Sequence, residues 1–166
     1  ERAKEAGGAT ARRDLGTALH TMVEKAHADP EWKVPDTYAA DVAAVVDGWW
    51  DAAYVGGEYP RTDFSDAFPG FTDGAAREAR VDRALMTNAR LGAGIEGVTA
   101  KVRQVVVDVL AVEGTPQGAT ARFRLVFVTE TGGTPAERVS VRGRLALTPA
   151  QAGWQVIAYD VARGIS

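Results

Sequence analysis

Over residues 99–161 apolar and polar positions alternate with a period of two, broken by short clusters of Gly, Pro and Thr, the pattern of strands joined by turns. Residues 99–112 (TAKVRQVVVDVLAV) are dense in β-branched side chains. Residues 119–130 (ATARFRLVFVTE) set Ala121, Phe123, Leu125 and Phe127 on one face and Arg122, Arg124 and Val126 on the other. Residues 137–148 repeat this, with Val139, Val141, Leu145 and Leu147 opposite Arg138, Arg142 and Arg144, and residues 154–161 (WQVIAYDV) form the last strand. Connections this short predict an antiparallel meander, because parallel neighbours need crossovers of a dozen residues or more. We assign Lys101, Arg103, Arg122, Arg124, Arg142 and Arg144 to the polar face. Like charges directly opposite are destabilising; Glu130, Glu137 and Asp160 can offset them, and the face is either solvated or meets an anionic partner. Val105–Val106–Val107 and Val109–Leu110 are apolar on both parities, which predicts cover on both faces. Asp108 among them is either a hydrogen-bonded or bulge residue or a pocket acid with a raised pKa.

Ahead of the strands the period changes to 3.6. Ala11, Leu15, Ala18, Leu19, Met22, Val23 and Ala26 recur at three and four, predicting a helix over residues 9–28. Its opposite face would carry His20, Glu24 and His27, a spacing that can hold a divalent metal but more often marks a solvated face. Pro35–Asp36 starts a second helix with Tyr38, Val42, Val45, Val46, Trp49 and Ala53 as its inward stripe, flanked by Trp50 and Tyr54 and closed by Gly56–Gly57. Its aromatics make it the lid for the apolar sheet face; a ligand-stacking role for Trp49, Trp50 and Tyr54 is the alternative. Asp47 and Asp51, at i and i+4, are expected at its solvent boundary, where they repel. The loop over residues 58–72 holds Phe64, Phe68 and Phe71 and is too apolar to lie free. Thr72 or Asp73 caps a third helix reaching Asn88, with Val81, Ala84, Leu85 and Met86 inward.

The 166 residues carry a net charge of −3 and a pI near 5.4, which argues against general nucleic-acid binding. The absence of cysteine excludes disulfides and thiolate chemistry. No apolar run of 18 residues occurs, and the chain starts at Glu1 rather than Met, so we expect any targeting or anchor segment to precede it.

Helices followed by four antiparallel strands predict an α+β class with helices packed on one face of a curved antiparallel sheet. We divide the chain into an N-terminal helical extension or stalk, residues 1–30, and a cone-shaped domain, residues 31–166. From Asp36 to Val161 the order of elements, the aromatic segment WWDAAYVGGEY and the final GWQVIAYDV strand resemble the nuclear transport factor 2-like (cystatin-like) superfamily. The arrangement is also similar to actinobacterial Mce-associated membrane proteins and to conjugation-channel assembly domains. That resemblance implies an extracytoplasmic domain of a single-pass membrane protein, anchored by a helix outside this chain, working with protein partners in a transport or secretion assembly, with homodimerisation through a sheet face open.

No phosphate-binding glycine loop, nucleophile elbow or His-Glu-x-x-His helix occurs, and nothing calls for a cofactor. Isomerases of similar fold need an acid or base inside the cone, for which Asp108, Tyr159 and Tyr54 are the nominees by residue type. Two readings stand: a non-catalytic interaction domain using the arginine face, and a small-molecule-binding or isomerase-like domain using the cone.

Overall fold

The computed structural model describes residues 8–15, 19–25 and 36–165. Six strands, β1 (Gly8–Leu15), β2 (Leu19–Lys25), β3 (Gly97–Val112), β4 (Thr115–Thr131), β5 (Thr134–Ala150) and β6 (Gly153–Ile165), form one sheet in the order β2-β1-β3-β4-β5-β6. Every neighbouring pair is antiparallel. Among the described residues, three α-helices, α1 (Asp36–Trp50), α2 (Asp73–Val81) and α3 (Arg83–Met86), join the sheet in an α+β architecture.

The four strands of the meander are longer than their alternation predicts, because their turns are tighter. Glu113–Gly114 and Gly132–Gly133 join β3 to β4 and β4 to β5 as two-residue turns with φ of 52° and 81°, and 61° and 77°. Such left-handed pairs match the twist of the flanking strands. Pro116 and Pro135 therefore pair within strand ends, opposite Ala111 and Glu130, instead of lying in the connections. Register shifts between Ala100 and Val102, Leu110 and Ala111, Val128 and Glu130, and Ala146 and Leu147 bend the sheet, since a bulge adds one residue to one strand and increases local twist.

Helix α1 covers one face. It passes at Trp50 into a π-helical turn, Asp51–Val55, that ends at Gly56, whose N–H donates to the Asp51 carbonyl. The wider turn lets Trp49, Trp50, Ala53 and Tyr54 all point inward, each without solvent exposure. Trp49 meets Phe123 edge-on with ring centroids 5.3 Å apart and donates its indole N–H to the Met86 carbonyl at 3.2 Å. Trp50 packs on Phe123 and Tyr54 on Phe127. The two tryptophans are core, and the ligand-platform alternative for them fails on burial.

The phenylalanine loop packs down as expected, with Phe64, Phe68 and Phe71 buried and Phe71 bridged to Val156. Thr72 caps α2, its hydroxyl accepting from the Ala75 N–H. The predicted third helix is broken at Asp82 into α2 and α3, which turns Val81 out to 79% exposure while Met86 stays buried; Val81 was expected inward.

The N-terminal region departs most from expectation. Residues 8–15 and 19–25 form a β-hairpin, β1 pairing with β3 from Gly8↔Leu110 to Asp14↔Gln104, in place of a helix over 9–28. These residues extend the same sheet, so they are not a helical stalk. Pairing with the strongly β-forming Val105–Val109 segment supplies backbone hydrogen bonds that local periodicity does not reveal. Nor is β3 covered on both faces: Leu110 is 52% exposed and Val106 half-buried.

Trp49→Ala is expected to destabilise the chain by about 3–5 kcal/mol in urea unfolding, the range for a fully buried large aromatic. Val81→Ala, on an exposed turn, should stay within about 0.5 kcal/mol. Equal effects from the two would contradict the packing of α1 described here.

Candidate functional site

Because Phe123, Leu125, Val141 and Leu145 are buried against the helices, strand parity sends Arg122, Arg124, Arg142 and Arg144 to the opposite, open face. The register sets Arg122 directly opposite Arg144 and Arg124 directly opposite Arg142. All four are exposed. Two carboxylates flank them: Asp108 reaches Arg122 at 3.5 Å, and Asp160 pairs in register with Arg144. Glu130 and Glu137, expected as counter-charges, serve elsewhere. Glu130 accepts the Thr99 hydroxyl at 2.6 Å, and Glu137 lines a cleft on the helix side.

Two of the six cations assigned to this face do not belong to the quartet. Arg103 has the parity of Val105 and points to the helix side, where it bonds Asp47 at 2.6 Å and Asp51 at 3.0 Å. The expected repulsion between those two aspartates is thereby converted into a fork held by one guanidinium. Lys101 sits in the bulge between Ala100 and Val102 and is exposed.

Beside the arginines the open face is hollowed. One depression of about 380 Å³ is lined by Arg122, Arg142, Gly143 and Arg144. A second of about 300 Å³ runs over Thr120, Ala146 and Ala158, and the two share Arg144 and Asp160. They arise because the row Asp108–Thr120–Ala146–Ala158 carries small side chains on β4, β5 and β6. Gly143, at φ 150°, lets β6 approach: a Cβ there would fall on the Asp160 carbonyl. Sequence reasoning found the arginines and missed the hollow, whose only signal is the small residues of three separate strands.

The three pocket nominees do not converge. Tyr54 is buried in the core, donating to the Leu85 carbonyl at 2.7 Å. Tyr159 lies on the helix side of β6 and donates to Asp82 at 2.7 Å. Asp108 is on the open face with Arg122, and its place there is that of a partnered surface carboxylate. Burial raises the Tyr54 phenol far above its ordinary value, the Arg163 cation opposing it in part. Burial, then the hydrogen bond to Asp82, raises Tyr159, and burial raises Tyr59.

Where α3 meets the ends of β5 and β6 there is a cleft of about 570 Å³, lined by Leu85, Arg90, Leu91, Glu137, Val139 and Arg163. Arg163 donates to the Thr87 carbonyl at 2.7 Å and lies near the Tyr54 and Phe127 rings. No sequence motif marked these residues, since they come from four separate segments.

Of the metal candidates, His20 and Glu24 lie four residues apart on extended β2, about 13 Å along the strand, and His27 is outside the described residues. The helical face that would have gathered them is not formed. Among the described residues no group of three His, Cys, Asp or Glu side chains is placed to hold a metal ion. No described helix is long and apolar enough to cross a membrane.

The raised phenols give a pH dependence with a definite sign. Unfolded tyrosines ionise near pH 10, whereas Tyr54, Tyr59 and Tyr159 stay neutral above that in the fold. The stability they contribute is complete below about pH 10 and is lost as pH rises toward their folded values. The thermal midpoint is expected to hold from neutrality to about pH 9 and then fall, less steeply in Tyr159→Phe. Full phenolate absorbance near pH 10 with the chain still folded would contradict it. No protein-family model, curated protein or solved structure matches this chain.

Proposed function

We propose that the chain is a non-catalytic interaction domain that docks an acidic protein partner on its arginine face. The observation that carries this reading is the cross-strand pairing of Arg122 with Arg144 and Arg124 with Arg142 on an open sheet face. Four guanidinium groups held beside two carboxylates leave the surface electropositive on a chain whose net charge is −3. A confined positive field of this kind selects and steers an anionic partner. The full burial of Trp49, Trp50, Tyr54 and Phe127 in the core supports a scaffold over an enzyme that uses these aromatics inside a cone. The order of elements along α1, the phenylalanine loop and the meander supports a relationship to the nuclear transport factor 2-like domains. On that footing the setting is extracytoplasmic, on a single-pass membrane protein similar to the Mce-associated proteins, as an accessory subunit of a transport or secretion assembly. A second reading is favoured by the cleft of about 570 Å³, whose volume suits a small ligand and whose Arg90, Arg163 and Glu137 supply polar contacts.

The test is the variant Arg122→Ser/Arg124→Ser/Arg142→Ser/Arg144→Ser in the full-length native protein. The wild type is expected to fractionate with membranes in a complex larger than its own mass. The variant should stay in the same fraction, keep its unfolding free energy within about 1 kcal/mol because the sites are exposed, and migrate as a smaller species. An unchanged complex would remove the arginine face from assembly.

A further inference from the structure

The shape of the open face goes further than its charge, and resting on the reading of that face as a docking surface, the geometry points to the form of the partner: an acidic amphipathic α-helix lying along β4 and β5, its carboxylates on the arginine quartet and its apolar side in the hollow over Thr120, Ala146 and Ala158. Strands β4 and β5 are hydrogen-bonded to neighbours on both sides. An extended peptide would therefore find no free backbone there, whereas a helix satisfies its own. The dimensions agree. From β4 to β6 is two strand spacings, about 9.6 Å, close to the 10–12 Å diameter of a helix with its side chains.

Along the strands the two arginine rows, Arg124/Arg142 and Arg122/Arg144, are two residues apart, about 6.7 Å. That is near the ~6 Å rise between helix positions i and i+4. The next row on the same strands is Thr120/Ala146, with Ala158 beside it on β6. A helix with acidic residues at i and i+4 thus reaches one arginine row with each, and its positions near i+7, i+8 and i+11 fall over the small-residue hollow. Leu110 on β3, one row further along, and Ile157, left unpaired by the bulge beside Ala158 on β6, are 52% and 48% exposed and add apolar surface at this end. Charge at one end and a shallow apolar trough at the other distinguish this surface from a plain anion site, which needs no trough.

The probe is a fluorescent amphipathic peptide with Glu at i and i+4 and Leu at i+7, i+8 and i+11, titrated against the full chain by anisotropy. Affinity is expected to fall about tenfold when the two Glu become Gln or when Arg122→Ser and Arg144→Ser are combined, as for close interfacial charge pairs. A similar loss, about tenfold, is expected for Ala158→Phe, which fills the trough at an exposed position without changing charge. The inference is overturned if Ala158→Phe binds as the wild type does. It is equally overturned if inorganic phosphate or phosphatidylserine vesicles displace the peptide at comparable concentration, or if the face is already occupied by a second copy of the chain, seen as a dimer that Ala158→Phe dissociates. Assembly lost in the arginine variant with no peptide binding defeats the helix and keeps the proposed function. Peptide binding with assembly untouched by that variant defeats the proposed function and keeps the helix.

Discussion

The contact of Trp49 and Trp50 with Phe123 decides which face of the sheet is used up. Phe123 has to lie under α1, and from that one assignment the period of two fixes its neighbours. Leu125 and Phe127 go inward with it, as do Val139, Val141 and Leu145 across the register. Arg122, Arg124, Arg142 and Arg144 have no freedom to do anything but face outward. The arginine face is thus a consequence of core packing, and a one-residue slip between β4 and β5 would bury charge and expose the core together.

The quartet contributes little to folding. Opposed and same-strand neighbours begin about 5–7 Å apart, where two like charges in water repel by roughly 0.6–0.8 kcal/mol before salt screening. The Arg122–Asp108 contact, 3.5 Å between groups about half exposed, returns about 0–1 kcal/mol. Arg103 is the contrast. Its side chain is 15% exposed and forks between Asp47 of α1 and Asp51 of the π-helical turn that follows, which fastens this helical segment to β3. One arginine is placed where it holds the fold together, and four are placed where they slightly oppose it, a distribution that stability alone does not account for.

Elements whose signal is local were legible in the sequence. The meander, the aromatic helix and the Thr72 cap all follow from alternation, apolar spacing or a single capping residue. What failed needed a partner distant in the chain. Ala11, Leu15, Leu19 and Met22 fit a helical stripe, and only the pairing of β1 with β2 and of β1 with β3 makes strands of them. Charge alone groups Arg103 with Arg122, although its parity with Val105 places it on the other face. The break at Asp82 exposes Val81, which periodicity carried inward. The hollow and the cleft were illegible for the same reason: Thr120, Ala146 and Ala158, like Arg90, Glu137 and Arg163, meet only through the register and the return of the chain.

Strand β5 links the two surfaces. Glu137 and Val139 border the cleft on the helix side, while Arg142 and Arg144 stand on the open face a few residues on. Between the two arginines Gly143 holds φ at 150° with β6 pressed against it, a conformation that a side chain there would oppose. The close approach brings Asp160 beside Arg144 and draws β6 in to form one wall of the hollow. Any larger residue at 143 would push β6 away, and with it both Asp160 on the open face and Arg163 at the cleft. A residue without a side chain therefore shapes both surfaces, because the neighbouring strand whose approach it permits supplies groups to each.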